Sequence, residues 1–251
     1  MTLTDKIRNT IELLKDTDIN GCITGSSMIP DVDFDEWDSV PDIDLFVYTE
    51  MQLLYASDYL MLKHGFELLN AGEEWKYDRV RNRGMHDKAA LTTMKLVKDG
   101  VIVNITYKKY KNNIMSVLAS FDMSCIMIGY DIPFKWGIDM RTKDIRIFDD
   151  KEGKWSDHPM VSVPNPMRKQ DVDMYGVEMW VRQFDRVIKY WNRGIDTREM
   201  AAFYIDLISG VIEKGQLFAT DKSSAAYKEF VNTYEPLKAK MVQWLEEKED
   251  C

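Results

Sequence analysis

The sequence predicts an α+β fold, with a mixed β-sheet and flanking helices over residues 1–160 and a helical domain over residues 161–251. In the first part, short β-rich runs alternate with amphipathic helical segments, a pattern typical of one sheet covered by helices. Two of these runs flank Asp99-Gly100, a dipeptide that favours a tight hairpin turn. After Pro166 only helical segments follow, which places a domain boundary near residue 160.

Hydrophobic periodicity and turn residues give the individual elements. Apolar residues at helical spacing predict the helices, and Gly65 marks the end of the second one. Strands are predicted where β-formers cluster between turn residues. The predicted helices are 3–16, 51–66, 111–120, 168–193, 198–214 and 222–248, and the predicted strands are 22–24, 43–48, two within 92–109, 121–132 and 144–150.

The composition limits the classes of protein that the chain can represent. Its 251 residues are 45% hydrophobic and 12% aromatic, enough for a buried core. A net charge of −9 argues against a protein that coats nucleic acid, although a local basic patch can still hold a nucleic-acid substrate. Three cysteines without a C-x-x-C pair argue for a reduced, cytoplasmic protein. No apolar run approaches the roughly 20 residues that span a bilayer, so no membrane partner is expected.

Two aspartates at the head of a predicted strand are the first candidate site. Asp42 and Asp44 are two residues apart, so they point to the same face, about 7 Å apart along the strand. Two carboxylates on one face repel each other unless they are exposed or bind a cation. Mg²⁺ prefers oxygen ligands and often accompanies the phosphates of a nucleotide. The D-x-D pattern alone is common and does not specify a metal site.

A small-residue turn precedes these aspartates. Gly25, Ser26 and Ser27 follow a short apolar strand, and such a turn frees backbone N–H groups and hydroxyls to hold phosphate. A helix N-cap turn explains the same three residues equally well. The turn lacks the G-x-S-x-G pattern of a serine hydrolase, and the glycine patterns of dinucleotide-binding and Walker sites are also absent.

The order Gly-Ser-Ser, acidic loop, Asp-Ile-Asp-Leu-Phe-Val resembles the signature of the DNA polymerase β-like nucleotidyltransferase superfamily. The resemblance implies a polymerase β-like sheet, with Gly25, Ser26 and Ser27 seating the triphosphate of an NTP. It also implies that Asp42 and Asp44 hold Mg²⁺ or Mn²⁺ ions.

Two further segments resemble parts of the same superfamily. FDMSCIMIGYD, residues 121–131, resembles a segment of tRNA CCA-adding enzymes, and residues 179–196 resemble the arginine-rich helix of their second domain and of viral nucleotidyltransferase-like proteins. In the latter segment Arg186 and Lys189 match, and the resemblance implies that they face the nucleotide. The resemblance covers roughly residues 20–195.

One position departs from the family pattern. The family places a third carboxylate on a strand of the same sheet, where this chain has Asn104. An amide oxygen coordinates a cation more weakly than a carboxylate, so the metal that activates the attacking hydroxyl would bind poorly. Three explanations stay open: Asp122 on a neighbouring strand supplies the charge, the acceptor needs little activation, or catalysis has been lost.

Basic residues offer candidate anion contacts. Arg182, Arg186, Lys189 and Arg193 are spaced to share one helix face. Such a stripe suits an anion, but a solvated face paired with acidic neighbours explains it equally well. Two loop clusters combine lysines or arginines with aromatic residues, as in sites that bind single-stranded nucleic acid; they lie at residues 76–83 and 107–111.

These observations lead to two hypotheses. The first is a metal-dependent nucleotidyltransferase that moves an NMP from an NTP to a hydroxyl acceptor, with an RNA 3′ end favoured by the resemblance and a protein or small molecule also possible. The alternative is a nucleotidyltransferase-derived protein, catalytically impaired, that binds a nucleotide or a partner. Asn104 favours the alternative, and the acidic loop 31–38 would be its partner surface.

Overall fold

The structure of the chain is a computed structural model, and all the elements given below lie within the residues that it describes. The chain divides into two compact units, Met1–Pro159 and Met160–Cys251. No helix among the described residues is long and apolar enough to cross a membrane. The described residues are 1–29, 33–73, 91–109, 111–141, 145–149, 162–164, 177–214 and 225–249.

The described part of the first unit combines three α-helices with eight strands, so it is an α+β unit. The helices are α1 (Leu3–Lys15), α2 (Glu50–Asp58, continued by a π-helical turn, Tyr59–Lys63) and α3 (Ile114–Leu118). The strands are β1 (Gly21–Thr24), β2 (Ile43–Val47), β3 (Glu67–Glu73), β4 (Leu91–Lys98), β5 (Val101–Lys108), β6 (Ile128–Asp131), β7 (Trp136–Asp139) and β8 (Arg146–Asp149).

The eight strands form one mixed sheet in the order β3-β4-β5-β2-β1-β6-β7-β8. Strands β2 and β5 are parallel, and the other neighbouring pairs of described strands are antiparallel. Two parallel strands need a crossover connection between them. Here the segment from α2 through β4 makes that connection, so that β5 runs in the same direction as β2. This topology sets the ends of β2 and β5 side by side in the middle of the sheet.

The two faces of the sheet are covered differently. On one face, here the α1 face, Ile43, Leu45 and Val103 are fully buried beneath α1 and α2. On the opposite face, here the α3 face, α3 packs on Cys22 and Tyr48. Helix α3 is only five residues long, and it packs with Tyr48 just past the end of β2.

The second unit contains three described helices, α4 (Val177–Asn192), α5 (Arg198–Lys214) and α6 (Ala225–Glu249). Gly194, at φ +77°, ends the first helical segment. Edge-to-face contacts of Trp244 with Phe184 and Trp191 join α6 to α4. The part of the predicted helix from 168 to 176 lies outside the described residues.

Most predicted elements are confirmed, but the strand 121–132 is wrong. Only Ile128–Asp131 form a strand, and a 3-10 turn, Ser124–Ile126, precedes them. Two strands were missed because their residues lack the alternation of β-formers that marks a strand. They are β3, with the sequence ELLNAGE, and β7, with the sequence WGID.

Candidate active site

The two aspartates lie at the start of β2 on the α3 face. Side chains along β2 alternate between fully buried Ile43 and Leu45 and half-buried Asp44 and Phe46. Asp42 directly precedes the strand and is also half-buried. The strand therefore presents its carboxylates where solvent and a ligand can reach them, while its apolar residues anchor it in the core.

Asn104 joins these two carboxylates. In the parallel pairing of β2 with β5, Asn104 lies opposite Asp44. Its Nδ2 donates hydrogen bonds to Asp42 Oδ2 at 2.9 Å and to Asp44 Oδ1 at 3.1 Å. Hydrogen bonds from a neutral amide to ionised carboxylates are stronger than neutral ones, so this bridge reduces the repulsion between the two aspartates. The structure thus brings Asp42, Asp44 and Asn104 together, as the sequence predicted.

The other end of the Asn104 amide is unused. Its Oδ1 is buried and has no hydrogen-bond partner among the described residues. The two ends of an amide are assigned from the hydrogen-bond network, and here the carboxylates, which only accept, fix Nδ2 toward them. A cation between the carboxylates would favour the reversed amide, with Oδ1 toward it. Two carboxylates and one amide oxygen are a donor set that fits a hard divalent cation such as Mg²⁺.

The Gly25 turn lies against the Asp44 carboxylate. Gly25 has φ +82° and ψ −161°, a region essentially restricted to glycine. A Cβ atom on Gly25 would lie 2.4 Å from Asp44 Oδ2. Glycine is therefore required both by the backbone and by the close approach of the carboxylate, and the turn and the metal-binding candidate form one site.

Ser26 and Ser27 are less available than the sequence suggested. Both are buried within a single 3-10 turn, Ser26–Met28. The hydroxyl of Ser27 donates to the carbonyl of Thr24 at 3.4 Å. No α-helix begins at this turn, so it is not a helix N-cap and it lacks a helix macrodipole. Any phosphate contact here would use the local backbone and the Ser26 hydroxyl.

Asp122 does not lie on a strand beside β2, so that premise of the sequence interpretation is wrong. It precedes the 3-10 turn, and the strand that follows, β6, pairs with β1 and β7. The neighbouring Phe121 ring contacts the Phe46 ring edge to face, with centroids 5.9 Å apart. This contact places the loop that contains Asp122 over the α3 face of β2. Asp122 therefore stays a candidate for the third charge, as a loop residue and not as a strand residue.

The second unit holds the remaining predicted residues. On α4, Arg186 is half-buried and Lys189 is exposed. Arg193 is only 5% exposed, with its guanidinium 5.5 Å from the centre of the Tyr190 ring. The predicted cationic stripe is therefore wrong at Arg193, because this residue packs inside the unit. The side chain of Arg182 lies outside the described part.

The acidic loop has a structural use that the sequence did not reveal. Asp33 Oδ1 accepts a hydrogen bond from Thr4 Oγ1 at 2.9 Å, and Asp35 Oδ1 accepts one from the Thr4 backbone N–H at 3.1 Å. The first N–H groups of a helix lack partners within the helix, so Asp35 helps to cap α1, while Asp33 holds the loop to the Thr4 side chain. Of the two basic loop clusters, residues 76–83 lie outside the described part, as does residue 110.

A lysine missed by the sequence analysis lies beside Asn104. Cross-strand pairing sets Lys95 of β4 opposite Asn104, Asn104 opposite Asp44, and Asp44 opposite Thr24 of β1. Directly opposed residues point to the same face, so these four side chains form one row on the α3 face. The register of the β4–β5 hairpin could have predicted this pairing, because a two-residue turn at Asp99-Gly100 sets residue 95 opposite residue 104.

A separate buried polar cluster lies under α3. Tyr48 donates a hydrogen bond to Asp131 Oδ2 at 2.7 Å, and Asp131 is 1% exposed. Burial raises the pKa of the Asp131 carboxyl above its usual range, and it also raises the pKa values of the Cys22 thiol and the Tyr48 phenol. This cluster anchors β1, β2 and β6 at the covered end of the α3 face.

Comparisons with protein families and with curated proteins found no match. Among the described residues, no group of three or more His, Cys, Asp or Glu side chains has the arrangement of a metal site. The candidate site contributes two carboxylates, and its third ligand candidate is the amide of Asn104.

Proposed function

We propose that the chain is a metal-dependent nucleotidyltransferase of the polymerase β-like type, acting in the cytoplasm. The reaction would transfer an NMP from an NTP to a hydroxyl, releasing pyrophosphate, with an RNA 3′ end as the favoured acceptor. The observation that carries this proposal is the contact of the half-buried Asp44 carboxylate with both the Gly25 turn and Asn104.

The proposal gives each candidate residue a role in the reaction. Asp42 and Asp44 would hold a Mg²⁺ or Mn²⁺ ion, which neutralises phosphate charge and polarises the reacting oxygens when bound. The Gly25 turn would place the triphosphate against this carboxylate pair. Asn104 keeps the two carboxylates together before a cation arrives. The resemblance also implies that Arg186 and Lys189 contact the nucleotide.

A nucleotide-binding protein without turnover is the second candidate, and the Asn104 bridge favours it. The amide bonds to both aspartates, so the pair is already partly compensated without metal. The position also lacks the negative charge that a second, hydroxyl-activating cation would require. Such a protein would bind an NTP and would not release pyrophosphate.

The test is label transfer from each α-labelled NTP, with Mg²⁺ or Mn²⁺, to total RNA and to cell protein. The Asp42→Asn/Asp44→Asn double variant keeps the side-chain shapes and removes both charges. The control is Asp58→Asn, which removes an exposed carboxylate at the end of α2. The proposal expects transfer by the wild type and the control, and none by the double variant.

The outcomes separate the two candidates. Label on one acceptor class, lost only in the double variant, would support the transferase and identify its acceptor. Metal-dependent NTP binding without transfer to any acceptor would support the binding protein. A wild-type chain that neither binds nor transfers any NTP contradicts both.

A further inference from the structure

A lysine on the α3 face extends the candidate site beyond its carboxylates. Lys95 is half-buried on β4 and lies opposite Asn104. Cβ atoms of directly opposed residues on antiparallel strands are about 4.5–5.5 Å apart. The flexible four-carbon stem of a lysine is long enough to bring its ammonium group over the Asn104 side chain.

The surroundings of Lys95 leave its charge available. No hydrogen bond or ion pair joins its ammonium group to another described residue. Its same-face neighbours on β4, Thr93 and Val97, are uncharged, and its partner on β3, Asn70, is an exposed neutral residue. Across the sheet, the first charges beyond Asn104 are those of Asp42 and Asp44.

The opposite end of the row points to a ligand independently. Thr24 is fully buried opposite Asp44, yet its Oγ1 has no hydrogen-bond partner among the described residues. A Cβ atom on Gly129 would lie 2.9 Å from the Thr24 methyl group, so the methyl occupies the side toward β6. A buried polar atom without a partner is unfavourable. Together with Asn104 Oδ1, it leaves an unsatisfied oxygen on each side of Asp44.

The charges of the row suit one divalent cation and not two. Two carboxylates balance the charge of one divalent ion. At the position where a third carboxylate would complete a second cation site, Asn104 is neutral, and its neighbour Lys95 is already positive. A second divalent ion beside this ammonium group would meet like charge at short range, where repulsion is strong. An anionic phosphate group beside it would meet opposite charge.

We propose that the site holds a single divalent cation at Asp42 and Asp44, and that Lys95 supplies the second positive charge by contacting the phosphates of a bound nucleoside triphosphate. This inference rests on the proposed binding of an NTP at this site and names a residue and a metal count for it. The contact is a phosphate-positioning one, so it applies to a transferase and to a nucleotide-binding protein alike.

The test is equilibrium binding of ATP and GTP to the full chain, by calorimetry, with Mg²⁺ and with a chelator. Lys95→Met removes the charge and keeps the length of the stem, while Lys95→Arg keeps the charge. The matched control is Lys98→Met, which removes the same charge from the opposite face of the same strand. Thermal unfolding checks that each variant is folded.

Lys95→Met is expected to weaken triphosphate binding about 10-fold, the effect of one lost charge-assisted hydrogen bond. Lys95→Arg and Lys98→Met should remain within about 2-fold of the wild type, since neither removes a charge from this face. With saturating triphosphate, a Mn²⁺ titration followed by electron paramagnetic resonance should give one tightly bound ion per complex. In Lys95→Met/Asn104→Asp a second ion should bind.

Different failures point to different steps. Unchanged triphosphate affinity in Lys95→Met, or two tightly bound ions in the wild type, would overturn the inference and leave NTP binding intact. A loss seen with single-stranded RNA and not with the triphosphate would also overturn it, because the lysine would then contact an acceptor strand. If the wild type binds no triphosphate, the proposed function fails and the inference with it.

Discussion

Replacing Asn104 by aspartate tests the electrostatics of the site most directly. The amide donates hydrogen bonds of 2.9 and 3.1 Å to Asp42 and Asp44. In Asn104→Asp, without metal, both bonds are replaced by contacts between carboxylates. The substitution keeps the shape of the side chain, so it changes charge and hydrogen bonding with little change in packing.

The size of the effect follows from these contacts. A hydrogen bond to a charged group contributes about 1.5–3 kcal/mol, and two like charges about 4 Å apart repel by about 1 kcal/mol in water and about 4 kcal/mol near a protein surface. All three side chains are half-buried, so the lower ends apply, and outward rotation relieves part of the repulsion. We expect the free energy of unfolding to fall by about 2–4 kcal/mol in chelator.

The assay is thermal unfolding with chelator and with millimolar Mg²⁺. A loss of about 2–4 kcal/mol corresponds to a fall in Tm of roughly 5–15 °C for a domain of this size. Mg²⁺ should restore most of the Tm that Asn104→Asp loses, because three carboxylates bind a cation more tightly than two. The same Mg²⁺ concentration should raise the Tm of the wild type by a smaller amount. The control is Asn112→Asp, which adds a charge at an exposed position in the loop before α3. If Asn104→Asp were as stable as the wild type in chelator and unresponsive to Mg²⁺, the carboxylate–amide bridge would not control the site.

Two further predictions concern the turn and the buried cluster. Gly25→Ala should lower the free energy of unfolding by about 3 kcal/mol or more in urea titrations and abolish the Mg²⁺ response, because its Cβ collides with Asp44. Gly100→Ala, at φ +85° with nothing within 4 Å, should lose only about 1–2 kcal/mol; equal losses would contradict the close approach. For Asp131, a raised pKa in the folded state means that the native protein binds more protons than the unfolded one. Stability from this group is therefore present below its unfolded pKa and falls as pH rises through the folded pKa. Asp131→Asn should remove this fall in stability. In urea unfolding from pH 4 to 7, the free energy of unfolding of the variant should therefore rise relative to that of the wild type, by about 1.4 kcal/mol for each unit of pKa shift. A difference that is constant with pH would contradict it.

The sequence predicted the carboxylate pair but not all of its surroundings. The alternation of Ile43, Asp44 and Leu45 identifies the exposed face of β2 from the residues alone. The direction of the Asn104 amide could not be predicted, because it depends on a parallel pairing between strands 60 residues apart. Lys95 could have been predicted, since the Asp99-Gly100 turn fixes the register of β4 on β5.

The missed strand β7 shows why a local pattern can fail. Gly137 in its middle weakens the strand signal. A Cβ atom on Gly137 would lie 1.7 Å from the Phe148 ring, so the ring of the neighbouring strand occupies that space. The glycine is explained by its pairing with a residue on the next strand, which the pattern of the strand itself does not show.

Packing at the far end of β2 supports the position of the site. At the covered end, Tyr48 bonds to Asp131 and packs with α3, which fixes the end of β2 against β1 and β6. Asp44 lies four residues earlier, about 13 Å along an extended strand. Groups that bind a ligand are positioned best when rigid elements carry them and neighbouring packing holds those elements. The buried cluster therefore holds β1 and β2 in register, and that register keeps the Asp44 carboxylate against Gly25 and within hydrogen-bonding distance of Asn104.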